Sequence, residues 1–206
     1  MKLYTYPGAP NPRRVHIYLV EKRIEIPFVR VDIIKRENRT PEFLERVNAM
    51  GGLPVLELDD GSHIAESIAI CRYLEALHPE PSLFGQSAKE QGVIEMWLRR
   101  IELNLMVPVG LVWIHGSPLT KAVMKEQIAA VAEENRRVVT RYFQFLDAQL
   151  TSRAFIAGDS FSMADIVALC TLDFAANLNA LRHALEQQHL SRWYEAVSSR
   201  PSAVDN

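Results

Sequence analysis

Glu66 and Ser67 stand in the stretch "IAESIAICRYLEALHP", where a short apolar run gives way to helical text. A helix start offers unpaired N–H groups and the positive end of the helix dipole, and both favour a bound carboxylate. The Ser67 hydroxyl adds a donor and the Glu66 carboxylate can accept from an ammonium group, so the pair suits the two charged ends of an amino acid. The same residues also fit a plain helix start, with Ser67 as cap and Glu66 complementing the dipole. A second constellation lies just upstream in "NAMGGLPVLELDDG", where Leu53 precedes Pro54 before a strand. A cis bond there would turn the Leu53 N–H and C=O outward to pair with a peptide-like ligand, as an added strand would; a trans proline would simply open the strand.

A third stretch, "TYPGAPNPRRVHIYLVEKR", sets Asn11 between Pro10 and Pro12. Pro is favoured at the first helical position and Asn caps well, so the pair predicts a helix starting near Pro12 with Asn11 as its cap. Arg13 and Arg14 follow in the first turn, where they either raise the local positive potential or point to solvent or an acid.

The elements that must carry these residues are legible from hydrophobic spacing. "KLYTY", residues 2 to 6, is aromatic and β-prone and stops at a Pro-Gly cluster. "PFVRVDI", residues 27 to 33, alternates Val29, Val31 and Ile33 with Arg30 and Asp32, which predicts a half-buried strand. Thr40 and Pro41 open a short helix to about residue 47. "LPVLELDDGSHIAES" predicts a hairpin turning at Asp60-Gly61, and a helix runs from Ser67 to Leu77. Strand, helix, strand, helix, strand, strand, helix is the order of a thioredoxin-like domain.

From "HPEPSLFG" onward no strand is predicted, and helical runs cover about 88–114, 119–150, 163–178 and 187–198. The expected class is therefore α+β, with a thioredoxin-like domain over residues 1–79, a linker over 80–87 and an all-helical bundle over 88–206. In "FIAGDSFSMADIVAL", Ser162 and Asp165 form a capping-box arrangement and Phe161 and Ile166 a hydrophobic staple, a folding signal.

Composition narrows the partners. The 206 residues carry a formal charge of −2 with basic and acidic residues interspersed, so no nucleic-acid footprint or basic membrane face is expected. No segment reaches the apolar length of a membrane span. Cys71 and Cys170 lie far apart in apolar helical text, outside any CxxC or metal-ligand spacing, which points to a reducing cytoplasm and no metal.

"GAPNPRRVHIYLVEK", "GGLPVLELDDGSHIAESIAICRYLEALHP" and "FIAGDSFSMADIVAL", in this order and spacing, make the chain similar to the cytosolic glutathione transferases over essentially its whole length. The resemblance implies glutathione as co-substrate, a small electrophile held by the helical domain, and a homodimer. Glu66 and Ser67 would then hold the γ-glutamyl end, and Leu53 would pair with the cysteinyl backbone across a cis Pro54. Relatives commonly carry Lys or Gln where this chain has Gly52, so another group must meet the glycyl carboxylate. Asn38 or Arg39 is the expected substitute, unless "KRENR" is only a solvated loop.

At the position of Asn11 relatives with this spacing generally have Ser, whose hydroxyl donates to the glutathione sulfur. Asn can cap with its oxygen and donate to a thiolate with its NH₂, but it cannot take the thiol proton. Tyr6 is the rival donor, although by alternation it shares a face with Tyr4 and both can be packing residues. Met106, Trp113 and His115 are candidates for the electrophile pocket, and Trp and Met in helical text are also ordinary core residues. The expected activity is thiol transfer to an electrophilic carbon or a peroxide. A glutathione-dependent isomerase, dehalogenase or ether-cleaving enzyme, or a glutathione-binding protein with little turnover, would carry the same thiol site.

Overall fold

In the computed structural model, which describes residues 1–204, the chain divides into two units: Met1–Ser82 together with the stretch from Pro201, and Leu83–Arg200. The first unit runs β1 (Lys2–Thr5), α1 (Pro10–Lys22), β2 (Phe28–Arg30), a 3₁₀ turn (Glu37–Arg39), α2 (Pro41–Arg46), β3 (Val55–Glu57), β4 (His63–Ala65) and α3 (Ser67–Leu77). The sheet order is β2-β1-β3-β4, with β2 parallel to β1 and the β3–β4 hairpin antiparallel to it.

Alternation along β1 assigns the two faces. Thr5 Oγ1 shares a buried hydrogen bond of 2.8 Å with His16 Nε2 of α1, so Thr5 and the fully buried Leu3 face α1. Tyr4 points the other way, into the cluster of Val31, Phe43 and Val55, with Phe43 supplied by α2. Thr40 caps α2 as expected, accepting from Phe43 N–H. Lys22, its side chain wholly buried, pairs with Glu75 of α3 at 2.9 Å and donates to Pro81 O at 2.7 Å. Tyr18 donates to the same Glu75 oxygen at 2.6 Å, so the far end of α1 is tied firmly to α3.

Burial lowers the His16 pKa below its ordinary 6.5. The unfolded chain therefore takes up a proton near pH 6.5 that the folded chain refuses, and stability is lost as the pH falls below that value. Urea midpoints should drop between pH 7 and pH 5, and His16→Gln should flatten the drop. An equal drop in that variant would put its source elsewhere.

Three elements of the first unit differ from the sequence expectation. The strand expected over 27–33 ends at Arg30, apart from one further bond from Val31 N–H to Thr5 O. Asp32 stops it: its Oδ1 accepts from Ile34 N–H and Lys35 N–H, a turn that outcompetes the ladder. Tyr6 lies beyond β1, so it does not share a strand face with Tyr4. Helix α1 starts at Pro10, its cap is Ala9 with no side-chain cap, and Asn11 is the second helical residue and not the cap. Pro10 takes the first helical position that its fixed φ favours, and this displaces the expected start.

The second unit holds α4 (Ala88–Ile101), a π-helical segment (Glu102–Met106), α5 (Val107–Gly116), α6 (Ala129–Gln149), α7 (Met163–Asn179) and α8 (Gln188–Ser198). The π segment has a local cause: Pro108 has no N–H for the Asn104 carbonyl, and widening the preceding turn accommodates it. The run expected over 119–150 becomes α-helical only at Ala129, after a single 3₁₀ turn (Pro118–Thr120). Before it, Gln127 Nε2 donates to Ile114 O, Ser117 O and Thr120 Oγ1, a polar knot that holds the chain out of an α-helix.

At the start of α7 the Asp165 carboxylate reaches back to Ser162 N–H at 2.9 Å, as the capping arrangement predicts. Phe161, expected as a staple on Ile166, has its ring against Phe155 and the Arg200 guanidinium. A last helix, α9 (Pro201–Val204), packs on α1, so these residues belong with the first unit and not with a helical domain running to residue 206.

Candidate active site

Helix α3 begins at Ser67, and the residue before it, Glu66, has φ +70° and ψ 120°. This is outside even the left-handed helical well that Asn and Gly visit, and it holds a non-glycine residue at a cost of about 1–3 kcal/mol. Ser67 is buried at the first position of the helix, and Arg14 Nη1 of α1 donates to its Oγ at 3.5 Å. Arg14 is 2% exposed, and its position in the first turn of α1 brings a guanidinium to the start of α3. Sequence reading left its direction open; the one available signal was the doubled arginine in a helix turn that must pack on a neighbour.

The Leu53–Pro54 bond, between the loop and β3, is cis. Leu53 packs its side chain on the Val31, Phe43 and Val55 cluster. The preceding loop is shaped by three side chains. Asn38 Nδ2 donates to Gly51 O at 2.7 Å, Arg39 Nη1 to Met50 O at 3.0 Å and Asn48 Nδ2 to Gly52 O at 3.0 Å. Gly51 has φ +63°, and a Cβ there would stand 2.8 Å from the Asn38 carbonyl, so this position requires glycine. Gly52 is unlike it: a Cβ would meet only Asn48 Nδ2, at an ordinary 3.6 Å.

Asn38 is thus buried and commits one amide N–H to the loop. Arg39 is exposed and lies against the same loop, with guanidinium donors beyond the one on Met50. Asn48 was not singled out from the sequence, since only the folded loop reveals that its side chain closes back on Gly52.

The start of α1 is poor in backbone donors. Ala9 N–H bonds to Tyr6 O at 3.4 Å, and Pro10 and Pro12 have no N–H, which leaves Asn11 N–H as the orphan donor of this turn. Asn11 Oδ1 is buried and has no hydrogen-bond partner among the described residues, so it does not cap the helix as expected. Asn11 therefore brings a main-chain donor and a whole uncommitted amide to one place. Tyr6 is half-buried with the Arg30 guanidinium 5.7 Å from its ring centre.

In the second unit, Met106 and Trp113 both face α7. Thr171 Oγ1 contacts Met106 Sδ at 3.8 Å, and the Trp113 ring meets Phe174 edge-on at 5.8 Å. Thr171 and Phe174 are three residues apart, so the two candidates line one side of α7. In His115, Nδ1 accepts from Ile128 N–H at 3.3 Å, which leaves Nε2 to carry the proton in the neutral ring.

Residues 3–82 match the family "Glutathione S-transferase, N-terminal domain" and residues 109–201 match "Glutathione S-transferase, C-terminal domain". The chain is 40% identical to Glutathione S-transferase 2 of Saccharomyces cerevisiae, an alignment that covers 98% of this chain and 87% of the relative. It is 32% identical to Glutathione S-transferase F10 of Arabidopsis thaliana, over 94% of this chain and 90% of that protein. Among solved structures, Gtt2 from Saccharomyces cerevisiae superposes with a TM-score of 0.93 at 40% identity, covering 100% of this chain and 99% of that one.

Proposed function

Because the chain belongs to the glutathione S-transferase family, we propose that it binds glutathione along the loop before β3 and the start of α3 and transfers the sulfur, as thiolate, to a small electrophile. In this reading Glu66 accepts from the γ-glutamyl ammonium, and Ser67 with the start of α3 holds the γ-glutamyl carboxylate. The Leu53 backbone pairs with the cysteinyl residue beside Pro54. Arg39 meets the glycyl carboxylate in place of the side chain that Gly52 lacks, and Asn38 and Asn48 hold the loop in shape. The observation that carries the reading is the Glu66 backbone, since strain of this kind persists where a ligand site has a use for it.

A glutathione thiol near its free pKa of about 8.5 is mostly protonated at neutral pH, and directed donors favour the anion. Asn11 supplies two kinds of donor, its main-chain N–H and its side-chain NH₂, and the positive end of α1 adds to both. The amide accepts no proton, so the thiol proton leaves to solvent or to a carboxylate of glutathione itself. The thiolate then forms a carbon–sulfur bond as the leaving group departs with its electron pair. Met106, Trp113 and the Nε2–H of His115 are proposed to contact the electrophile.

Ultraviolet titration of bound glutathione tests the assignment. The wild-type thiol pKa should lie below the free value, Asn11→Ala should raise it by about 1, and Tyr6→Phe should leave it in place. A return to the free value in Tyr6→Phe alone would transfer the role to Tyr6. A second reading, a glutathione binder with little turnover, is favoured by the lack of a proton acceptor at Asn11. Binding without turnover on a panel of electrophiles and peroxides would select it. A homodimer, which the family resemblance implies, would cover Met96, Leu103 and Val107, apolar residues exposed along α4, the π segment and α5. The buried thiols of Cys71 and Cys170 suit a cytoplasmic protein.

A further inference from the structure

We propose that Pro201–Val204 is a clasp that positions the start of α1, and with it Asn11, for thiolate formation, and that Arg13 is the positioning residue through which it acts; this rests on the glutathione site proposed above. The first turn of α1 holds itself weakly. Its cap is an alanine without a side-chain acceptor, two of its residues are prolines, and the first helical bond is Arg13 N–H to Ala9 O at 3.1 Å.

External ties make up the difference. Arg13 Nη2 donates to Ala203 O at 3.2 Å, and a four-residue helix has no internal partner for that carbonyl. Ser202, 2% exposed, donates its hydroxyl to Glu21 Oε1, and Ala203 is 6% exposed. The two ties grip α1 at points about 12 Å apart along its axis. Neither can reorient without moving the other, so α9 acts as a splint along the helix.

The far end of α1 is already fixed to α3 through Lys22, Tyr18 and Glu75. What the splint adds is control of the near end, where Arg13 sits two residues after Asn11. Arg13 and Arg14 divide the labour: Arg14 joins the start of α1 to Ser67, and Arg13 joins it to α9. A small displacement of this turn moves the donors of Asn11 relative to a sulfur held by the rest of glutathione, and a directed donor loses its effect steeply with angle.

The test compares the full chain with a form ending at Arg200 and with Ser202→Ala, Glu21→Ala and Glu21→Gln. Two quantities are read: the thiol pKa of bound glutathione, by ultraviolet titration, and the affinity for S-methylglutathione, which has no thiol to ionise, by calorimetry. The shortened form should raise the thiol pKa by about 0.5 or more toward the free value. Ser202→Ala and Glu21→Ala should raise it in the same direction, and Glu21→Gln, which keeps an acceptor for Ser202, should restore it. Affinity for S-methylglutathione should change by less than about threefold throughout. If the shortened form does not fold, the two alanine variants decide.

An unmoved thiol pKa in the variants, with wild type binding both ligands, overturns the clasp and leaves the glutathione site standing. Loss of S-methylglutathione affinity in step with the pKa also overturns it, because the segment would then support binding in general. Wild type that binds neither ligand removes the glutathione site, and the clasp with it.

Discussion

Replacing Glu66 with Gly is expected to leave the protein at least as stable and to weaken glutathione binding by about 10- to 100-fold. The two effects have separate causes at one residue. Glycine adopts φ +70° without the Cβ conflict that glutamate bears there, a relief of about 1–3 kcal/mol, against which the lost backbone restriction costs about 0.5–1 kcal/mol. Removing the carboxylate deletes a charge-assisted hydrogen bond to an ammonium group, worth about 1.5–3 kcal/mol. Thermal unfolding and calorimetric titration with glutathione measure the two sides. A variant that melts lower and binds glutathione as before would reverse the assignment and make Glu66 a structural residue.

Asp165→Ala should have the largest effect on folding, a loss of at least about 4 kcal/mol. The carboxylate is completely buried and accepts four hydrogen bonds: from Ile156 N–H at 2.8 Å, Ser162 N–H at 2.9 Å, Ser162 Oγ at 3.0 Å and Trp193 Nε1 at 2.8 Å. Burial pushes its pKa up, and the four donors pull in the opposite direction. Alanine would leave those donors facing a cavity, each at about 1–3 kcal/mol, although the hydroxyl of Ser162 can turn away. Because a domain is typically stable by about 5–15 kcal/mol, the variant should be largely unfolded in mild urea. Asp165→Asn keeps one acceptor and presents an NH₂ toward a donor, so about half the loss is expected. A loss below about 1 kcal/mol in the alanine variant would mean that water replaces the carboxylate.

The sequence exposed those features whose causes are local. Thr40 with Pro41, the Asp60-Gly61 turn and the periodic stripe from Ser67 to Leu77 each lie within one element, and the structure forms α2, the hairpin and α3 where the residues indicate. Misplaced boundaries came from competition between local signals. Pro10 and Pro12 both suit a helix start, and the earlier one prevails with only Ala9 as cap, which moves Asn11 inside the helix. Asp32 belongs to an alternating pattern and to a turn, and the turn prevails. Asn38 is an expected substitute for the side chain that Gly52 lacks, and its bond to the Gly51 carbonyl arises between residues that become neighbours only when the loop folds. The bond from Asn48 to Gly52 is hidden for the same reason, and Arg14 is visible only as a first-turn cation whose direction the fold decides.

The return of Pro201–Val204 to α1 also orders events during synthesis. The bond from Arg13 to Ala203 joins residues 190 positions apart, and that from Ser202 to Glu21 joins residues 181 apart. At about 5–20 residues per second, the partner of Arg13 is made roughly ten seconds after the sheet and its helices are complete. The first unit must therefore stand on its own packing while the second is being translated. Its last fastening closes only once Ser202 and Ala203 have been made, which ties the finished start of α1 to synthesis of the entire second unit.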